Sequence, residues 1–168
     1  MIPIKLQQQK KEITKLDAKT LADICIKLAK YKTENKEFLN YLLFHSYDNQ
    51  PYIDELKLEI NNTFSALKFN DYAHFKLIKV LLLRINKHLK FIGDKNQEAE
   101  IVAQFCNTFM ANVSVRSYYN GLIQILFRQF VRLQKIVGKL DEDLQFDYKD
   151  DIYNIFSYLK QTRFYKDI

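Results

Sequence analysis

Hydrophobic residues recur along the chain with the period of an α-helix, from about Thr20 to about Phe164. They fall at positions i, i+3, i+4 and i+7, the spacing that places side chains on one face of a helix. Helices are predicted over about 18–32, 34–47, 51–67, 71–92, 97–113, 117–137 and 148–163. Short polar connections between consecutive segments favour antiparallel neighbours. The pattern therefore predicts an all-α fold of about seven antiparallel helices.

The fourth segment differs from the others because it is apolar almost all round. Its sequence KLIKVLLLRI leaves few polar positions for water, and such a helix is expected to be surrounded by neighbours. We therefore predict that this helix is the central element, with Leu81, Leu82 and Ile85 deep in the core. Gly93 is expected to close it as a left-handed C-terminal cap.

Composition agrees with a helical domain and leaves two architectures open. The 168 residues include only three glycines and two prolines, too few for the many turns of a sheet protein. Residues 1–17 are polar and are predicted to form a flexible arm, and 18–168 a single helical domain. Helix pairs start near residues 18, 51 and 97, loosely the period of HEAT or armadillo repeats. Because no residue signature recurs between the pairs, an irregular orthogonal bundle fits equally well.

The stretch KLAKYKTENKEFLNYLLF, residues 27–44, resembles segments of uncharacterised all-helical bacterial proteins. The resemblance covers about a tenth of the chain. It implies a helical domain and carries no functional site.

Cysteine usage and the absence of long apolar runs predict a cytoplasmic protein. Cys25 and Cys106 each fall on the apolar stripe of a predicted helix, where a free thiol behaves as a small hydrophobic group. The N-terminal residues lack the continuous apolar stretch of a secretory signal. No apolar run approaches the ~20 residues that span a bilayer, so no membrane partner is predicted.

Motifs that carry chemistry are missing from the sequence. None of His45, His74 and His88 has the Glu-x-x-His or H-E-x-x-H spacing of a metal site, and no serine lies in a G-x-S-x-G turn. We therefore predict no catalytic residue, metal, cofactor or small-molecule ligand. An enzyme with a dispersed site, built from residues such as His74, Tyr118 and Asp147, stays open as an alternative. The acidic stretch LDEDLQFDYKDD is interpreted as favourable charge at the start of the last helix.

Charge is segregated along the chain. The net charge is +6, but residues 141–151 hold six carboxylates and one lysine, which leaves +11 for the remainder. On the sixth predicted helix, basic side chains at relative positions 0, 4, 7 and 11 lie within about 60° of one another, opposite the core face. The candidate binding face consists of these residues and their basic and aromatic neighbours upstream: Arg128, Arg132, Lys135, Lys139, Arg116, Tyr118 and Tyr119. Phe127 and Val131 flank the stripe.

Two functional hypotheses follow from this face. The first is a non-catalytic interaction or scaffold domain that binds a protein partner, or a second copy of itself, through the basic surface. The second is a module for single-stranded nucleic acid, which such proteins hold by phosphate contacts and aromatic stacking. The dispersed enzyme is a third hypothesis and does not depend on this face. Against the first two stands the plainer interpretation that the charged face is simply the solvated side of a surface helix.

Overall fold

The computed structural model describes residues 4–67, 71–116, 120–162 and 165, and the regular structure in these residues is entirely helical. The helices are α1 (Leu6–Ile13), α2 (Ala18–Tyr31), α3 (Thr33–Phe44), α4 (Gln50–Ser65), α5 (Asp71–Ile92), α6 (Lys95–Asn112), α7 (Asn120–Val137), α8 (Glu142–Asp147) and α9 (Lys149–Gln161). The all-α fold predicted from the periodicity is confirmed. The seven predicted helices correspond to α2–α7 and α9, while the short helices α1 and α8 were not predicted.

Packing divides the chain into two compact units, Met1–Asp48 and Asn49–Ile168. In the first unit, α2 packs against α3. The side chain of Asp17 caps α2 by accepting a hydrogen bond from the Thr20 amide at 2.9 Å. Helix α1 lies within the predicted polar arm and buries none of its residues. This division describes which helices pack together and does not show whether the two units fold separately. The single helical domain expected over 18–168 therefore stays a prediction.

The first unit has a small interior for its apolar content. Among its described residues only Tyr41 is buried. Large apolar side chains at Leu28, Leu43 and Phe44 are all more than half exposed. Helices α2 and α3 therefore leave much of their apolar surface uncovered.

The second unit is a helical bundle arranged around α6. This helix contacts α4, α5, α7 and α9, and its buried residues are Ala99, Ile101, Val102, Ala103, Phe105, Cys106 and Phe109. At 100° per residue these positions cover an arc of about 200°, more than half of the helix circumference. Helix α6 is therefore the central element of the unit.

Three phenylalanines join α4 to α6. The Phe64 ring meets the Phe105 ring edge-on at 5.5 Å between centroids and the Phe109 ring at 5.9 Å. Each of the three side chains is at most 1% exposed. Edge-to-face aromatic pairs contribute about 0.5 to 1.5 kcal/mol beyond the burial of their area, so this cluster is a principal attachment between the two helices.

Polar contacts between α4 and α6 show the relative direction of the two helices. Asn49 and Gln97 exchange reciprocal amide hydrogen bonds at 2.7 and 2.9 Å. Further along, Asn61 accepts hydrogen bonds from Gln104 and Thr108. Because both partners advance together along the chain, α4 and α6 run parallel, as expected when an antiparallel α5 connects them.

The prediction that the fourth helix is central and surrounded is wrong. Helix α5 buries Ile78, Leu81, Ile85 and Leu89, which lie within an arc of about 80°. Leu82 is only partly buried against the core. On the other side Leu77, Val80 and Leu83 are exposed. The helix carries more apolar surface than its neighbours cover.

The connection between α5 and α6 follows the prediction closely. Gly93 has a φ of +71°, which glycine adopts readily because it has no Cβ. Its amide donates to the carbonyl of Leu89 at 3.0 Å. Asp94 then caps α6 by accepting from the Gln97 amide at 2.9 Å. The chain therefore ends one helix and starts the next within two residues.

Acidic residues occupy the starts of the last two helices. Glu142 and Asp143 lie in the first turn of α8, and Asp150 and Asp151 in that of α9. Carboxylates at these positions interact favourably with the helix macrodipole. This placement agrees with the interpretation of the acidic stretch as helix-start charge.

Both cysteines are free thiols. Cys106 is fully buried, and burial together with the charge of Asp151 raises the pKa of its thiol well above the ordinary range. Such a thiol is unreactive at neutral pH. Among the described residues, no helix combines the length and apolar character needed to span a bilayer. The cytoplasmic location stays a prediction.

The exposure of α5 supplies a matched pair of stability variants. Leu81 is 3% exposed and Leu83, two residues away, is 71% exposed. We expect Leu81→Ala to lower the free energy of unfolding by ~2 to 5 kcal/mol through lost burial and a cavity. Leu83→Ala should change it by less than ~0.5 kcal/mol. Urea unfolding measures both, and equal effects would contradict the burial pattern of α5.

Alkaline pH should weaken the attachment of α9. The Tyr158 hydroxyl donates a hydrogen bond to the carbonyl of Val113, and burial raises the pKa of Tyr158 to about 12. The pKa of a tyrosine in the unfolded chain is about 10. The folded state therefore keeps a proton that the unfolded state loses, so stability falls as pH rises from about 10 to about 12.

Tyr158→Phe isolates this contribution. The variant should be less stable than wild type at pH 8, and the difference should shrink above about pH 10. Tyr153→Phe, an exposed position on the same helix, is the control and should follow the wild-type curve. A constant wild-type advantage up to pH 12 would refute the assignment.

Candidate functional site

A basic groove lies on the surface of α6 and α7. Its volume is about 330 Å³, and it is lined by Lys95, Arg128, Val131, Arg132, Lys135, Ile136 and Lys139. The four basic residues of the predicted stripe all line it. Three of them lie on α7, and Lys139 lies two residues beyond its end. Lys95 joins them from the first turn of α6, and the two apolar residues complete the lining. The groove therefore brings together five cationic side chains from α6, α7 and the turn after α7.

Arg132 is held in a fixed position within this groove. Its Nε and Nη2 atoms donate to Oε1 of Glu98 at 3.1 and 2.7 Å. Its Nη1 atom donates to Oδ1 of Asn86 at 2.6 Å. The Arg132 side chain is 27% exposed and that of Glu98 16%. Helices α5, α6 and α7 thus each contribute one group to the positioning of this guanidinium.

Glu98 connects the two helices of the groove electrostatically. Its second oxygen accepts a hydrogen bond from Lys95. Burial works to raise the pKa of Glu98, but the hydrogen bonds from Lys95 and Arg132 outweigh it and hold this pKa below the ordinary value. Glu98 is therefore ionised at neutral pH and offsets one of the five positive charges.

The remaining charges are crowded at some cost in stability. Arg128 and Arg132 are like-charged neighbours four residues apart on α7. Such a pair is unfavourable by about 0.2 to 0.5 kcal/mol. Lys95 lies in the first turn of α6, where the helix macrodipole disfavours a cation. An anion bound in the groove would relieve all of these repulsions.

Of the three other residues of the predicted face, the structure describes one. Arg116 is exposed in the connection before α7 and is not part of the groove lining. Tyr118 and Tyr119 fall outside the described residues. Phe127, expected to flank the basic stripe, instead lines a separate apolar groove of about 560 Å³ between α7 and α9, together with Phe130 and Phe156. The described lining of the basic groove contains no aromatic side chain.

Sequence reasoning missed Lys95, Glu98 and Asn86. Glu98 and Asn86, which hydrogen-bond to Arg132, lie 34 and 46 residues before it in the chain. The 100° rotation per residue within one helix therefore could not have grouped them with it. One local signal existed, since Lys95 and Glu98 form an i, i+3 ion pair at the start of a predicted helix. That pair gave no indication of its partner on α7.

The dispersed enzyme site receives no support from the described residues. His74 lies on α5 and Asp147 at the end of α8, and no hydrogen bond described in the structure joins them. Tyr118 falls outside the described part. Within that part, no cluster of three or more histidine, cysteine, aspartate or glutamate side chains has an arrangement that could hold a metal ion.

Comparison with known proteins adds no further guide to function. No family model matches the chain, and no curated protein and no solved structure matches it either. The groove must therefore be interpreted from its own chemistry.

Glu98→Gln tests the electrostatic link across the groove. The substitution leaves Arg132 partly buried without its charged partner, so we expect a loss of ~1 to 3 kcal/mol in the free energy of unfolding at pH 7. Glu142→Gln, an exposed first-turn carboxylate of α8, is the control and should change stability by less than ~0.5 kcal/mol.

The same comparison has a defined pH dependence. Because the pKa of Glu98 is lowered in the folded protein, its stabilisation is present above the ordinary carboxyl range and is lost as pH falls through the folded pKa. Wild type and Glu98→Gln should therefore converge in acid. A variant as stable as wild type at pH 7 would show that this ion pair has no net effect.

Proposed function

We propose that this protein is a non-catalytic helical interaction domain that binds an acidic segment of a partner protein in the basic groove. The observation that carries the proposal is the convergence of Lys95, Arg128, Arg132, Lys135 and Lys139 on one groove that contains a single carboxylate contact. Four positive charges in excess favour an anionic ligand. Salt bridges within the protein leave most of this charge unmatched.

A protein ligand is favoured over single-stranded nucleic acid by the composition of the lining. Proteins that hold single strands combine basic residues with aromatic side chains on which the bases stack. The described lining offers Val131 and Ile136 instead, which suit the aliphatic parts of a peptide. Successive basic residues on α7 are about 6 Å apart at four-residue spacing, close to the ~6.6 Å between alternate side chains of an extended peptide.

Exposed apolar surface elsewhere on the second unit also supports a protein as the partner. Leu77, Val80 and Leu83 follow one another at three-residue intervals on the exposed side of α5. Apolar side chains grouped in this way are typical of protein-binding surfaces. A second copy of the chain is one partner that could cover them.

Binding of a labelled peptide of alternating glutamate tests the proposal directly. We expect fluorescence anisotropy at ~100 mM salt to show binding that weakens as salt increases, because exposed charge interactions are screened. Arg128→Glu/Lys135→Glu should weaken it at least tenfold. A single-stranded oligonucleotide of equal length provides the second ligand in the same assay.

The matched control changes the same charge at a different place. The control variant is Lys76→Glu/Lys79→Glu. These lysines lie on α5, ten and seven residues from Asn86, or roughly 15 and 10 Å along the helix. The control variant should leave peptide affinity within about threefold. Equal losses of peptide affinity in the two variants would show that binding depends on the net charge of the protein and not on the groove. Tighter binding of the oligonucleotide, with a salt slope flattened by about 1 to 1.5 units in the groove variant, would establish the nucleic-acid alternative instead.

A further inference from the structure

Arg132 differs from the other cations of the basic groove because its orientation is already determined. Three of its five N–H groups are used, two by Glu98 and one by Asn86. One N–H on each terminal nitrogen therefore remains for a ligand. Since Glu98 and Asn86 hold the guanidinium in place, a ligand bound there does not have to order it, which lowers the cost of binding.

The surroundings of Arg132 suit a ligand group with more charge than a carboxylate. Arg128 and Lys135 lie one turn to either side of it on α7, and Lys95 approaches from α6. A phosphate monoester carries about −1.5 to −2 charge at neutral pH and three acceptor oxygens. A carboxylate has one charge and two oxygens. A phosphate therefore offsets more of the excess positive charge than a carboxylate does, and it offers one more acceptor oxygen.

The size of the groove favours a compact head group. Its volume of about 330 Å³ lies at the lower end of the range for ligand sites. The planar fork of arginine binds phosphate oxygens in pairs, whereas lysine acts as a point charge. One oriented arginine among further cations is therefore an arrangement that distinguishes phosphate from carboxylate by geometry as well as by charge.

We propose that the ligand of the basic groove is a phosphorylated side chain in the partner protein's acidic segment, with Arg132 as the phosphate-binding residue and Glu98 and Asn86 as the residues that position it. This inference rests on the proposed function and specifies its ligand. Phosphorylation of the partner would then control whether it binds.

Three peptides that differ at one position test the inference. They share an acidic sequence and carry serine, glutamate or phosphoserine at the centre. We expect the phosphoserine peptide to bind wild-type protein at least tenfold more tightly than the glutamate peptide, and the serine peptide to bind weakest. Arg132→Lys keeps the charge but removes the fork, and should reduce the preference for phosphoserine over glutamate to about threefold or less. Arg116→Lys, the same substitution at an exposed arginine outside the groove lining, is the matched control and should leave this preference intact.

A wild-type measurement decides the question if Arg132→Lys does not fold. Phosphoserine gains a proton with a pKa of about 6, so its peptide should lose affinity between pH 7.5 and 5, more than the glutamate peptide does. No histidine is among the residues that line the groove, and the lowered pKa keeps Glu98 ionised. An identical pH response for the two peptides would overturn the phosphate assignment.

The outcomes separate this inference from the proposed function. If the glutamate peptide binds and phosphoserine adds nothing, the phosphate inference fails and the acidic-segment proposal stands. If no peptide binds, both fail. Two unlabelled competitors, a single-stranded oligonucleotide and the phosphopeptide itself, can be compared for displacement of the labelled phosphoserine peptide. If the oligonucleotide displaces it at the lower concentration, nucleic acid is the source of the phosphate. Displacement by inorganic phosphate alone at equal concentration would show that the peptide itself contributes nothing, and would overturn a phosphoprotein ligand.

Discussion

The burial of α6 is the constraint on which the second unit depends. Its buried positions span more than half of its circumference and bring α4, α5, α7 and α9 against one helix. The Phe64, Phe105 and Phe109 rings lie at the α4 side of this interface. Because a tightly packed interior tolerates little displacement, the helices that share α6 keep fixed positions relative to one another.

The geometry of the basic groove follows from that packing. Glu98 is followed directly by the fully buried Ala99, so the turn of α6 that carries the carboxylate is anchored in the core. On α7, the buried Leu133 and Ile136 directly follow Arg132 and Lys135 in the chain. The backbones that carry Glu98 and Arg132 are therefore placed by two helices whose apolar faces pack in the core. The ion pair and the Asn86 hydrogen bond then orient the Arg132 side chain.

Helix periodicity predicted most of this fold and part of the site, for identifiable reasons. The stripe from Arg128 to Lys139 required only the 100° rotation per residue, a local property of one helix. The misplacement of α5 shows the limit of such reasoning. Its composition records how much apolar surface the helix carries, but the number of neighbours that cover Leu77 or Leu83 depends on the whole chain. Lys95 and Asn86 were missed for the same reason, since tertiary packing alone brings them to α7.

Arg132 differs from the other arginine of the groove in its hydrogen-bond partners and not in its own chemistry. Arg128 and Arg132 have the same side chain and lie one turn apart on α7, yet only Arg132 is described with a carboxylate and an amide behind it. Immobilising a long side chain on binding costs about 0.5 to 1.5 kcal/mol, and Glu98 and Asn86 have already met that cost during folding. Under the proposed function, selectivity would therefore depend on Glu98 and Asn86, which orient Arg132, and attraction on the net charge of the residues that line the groove.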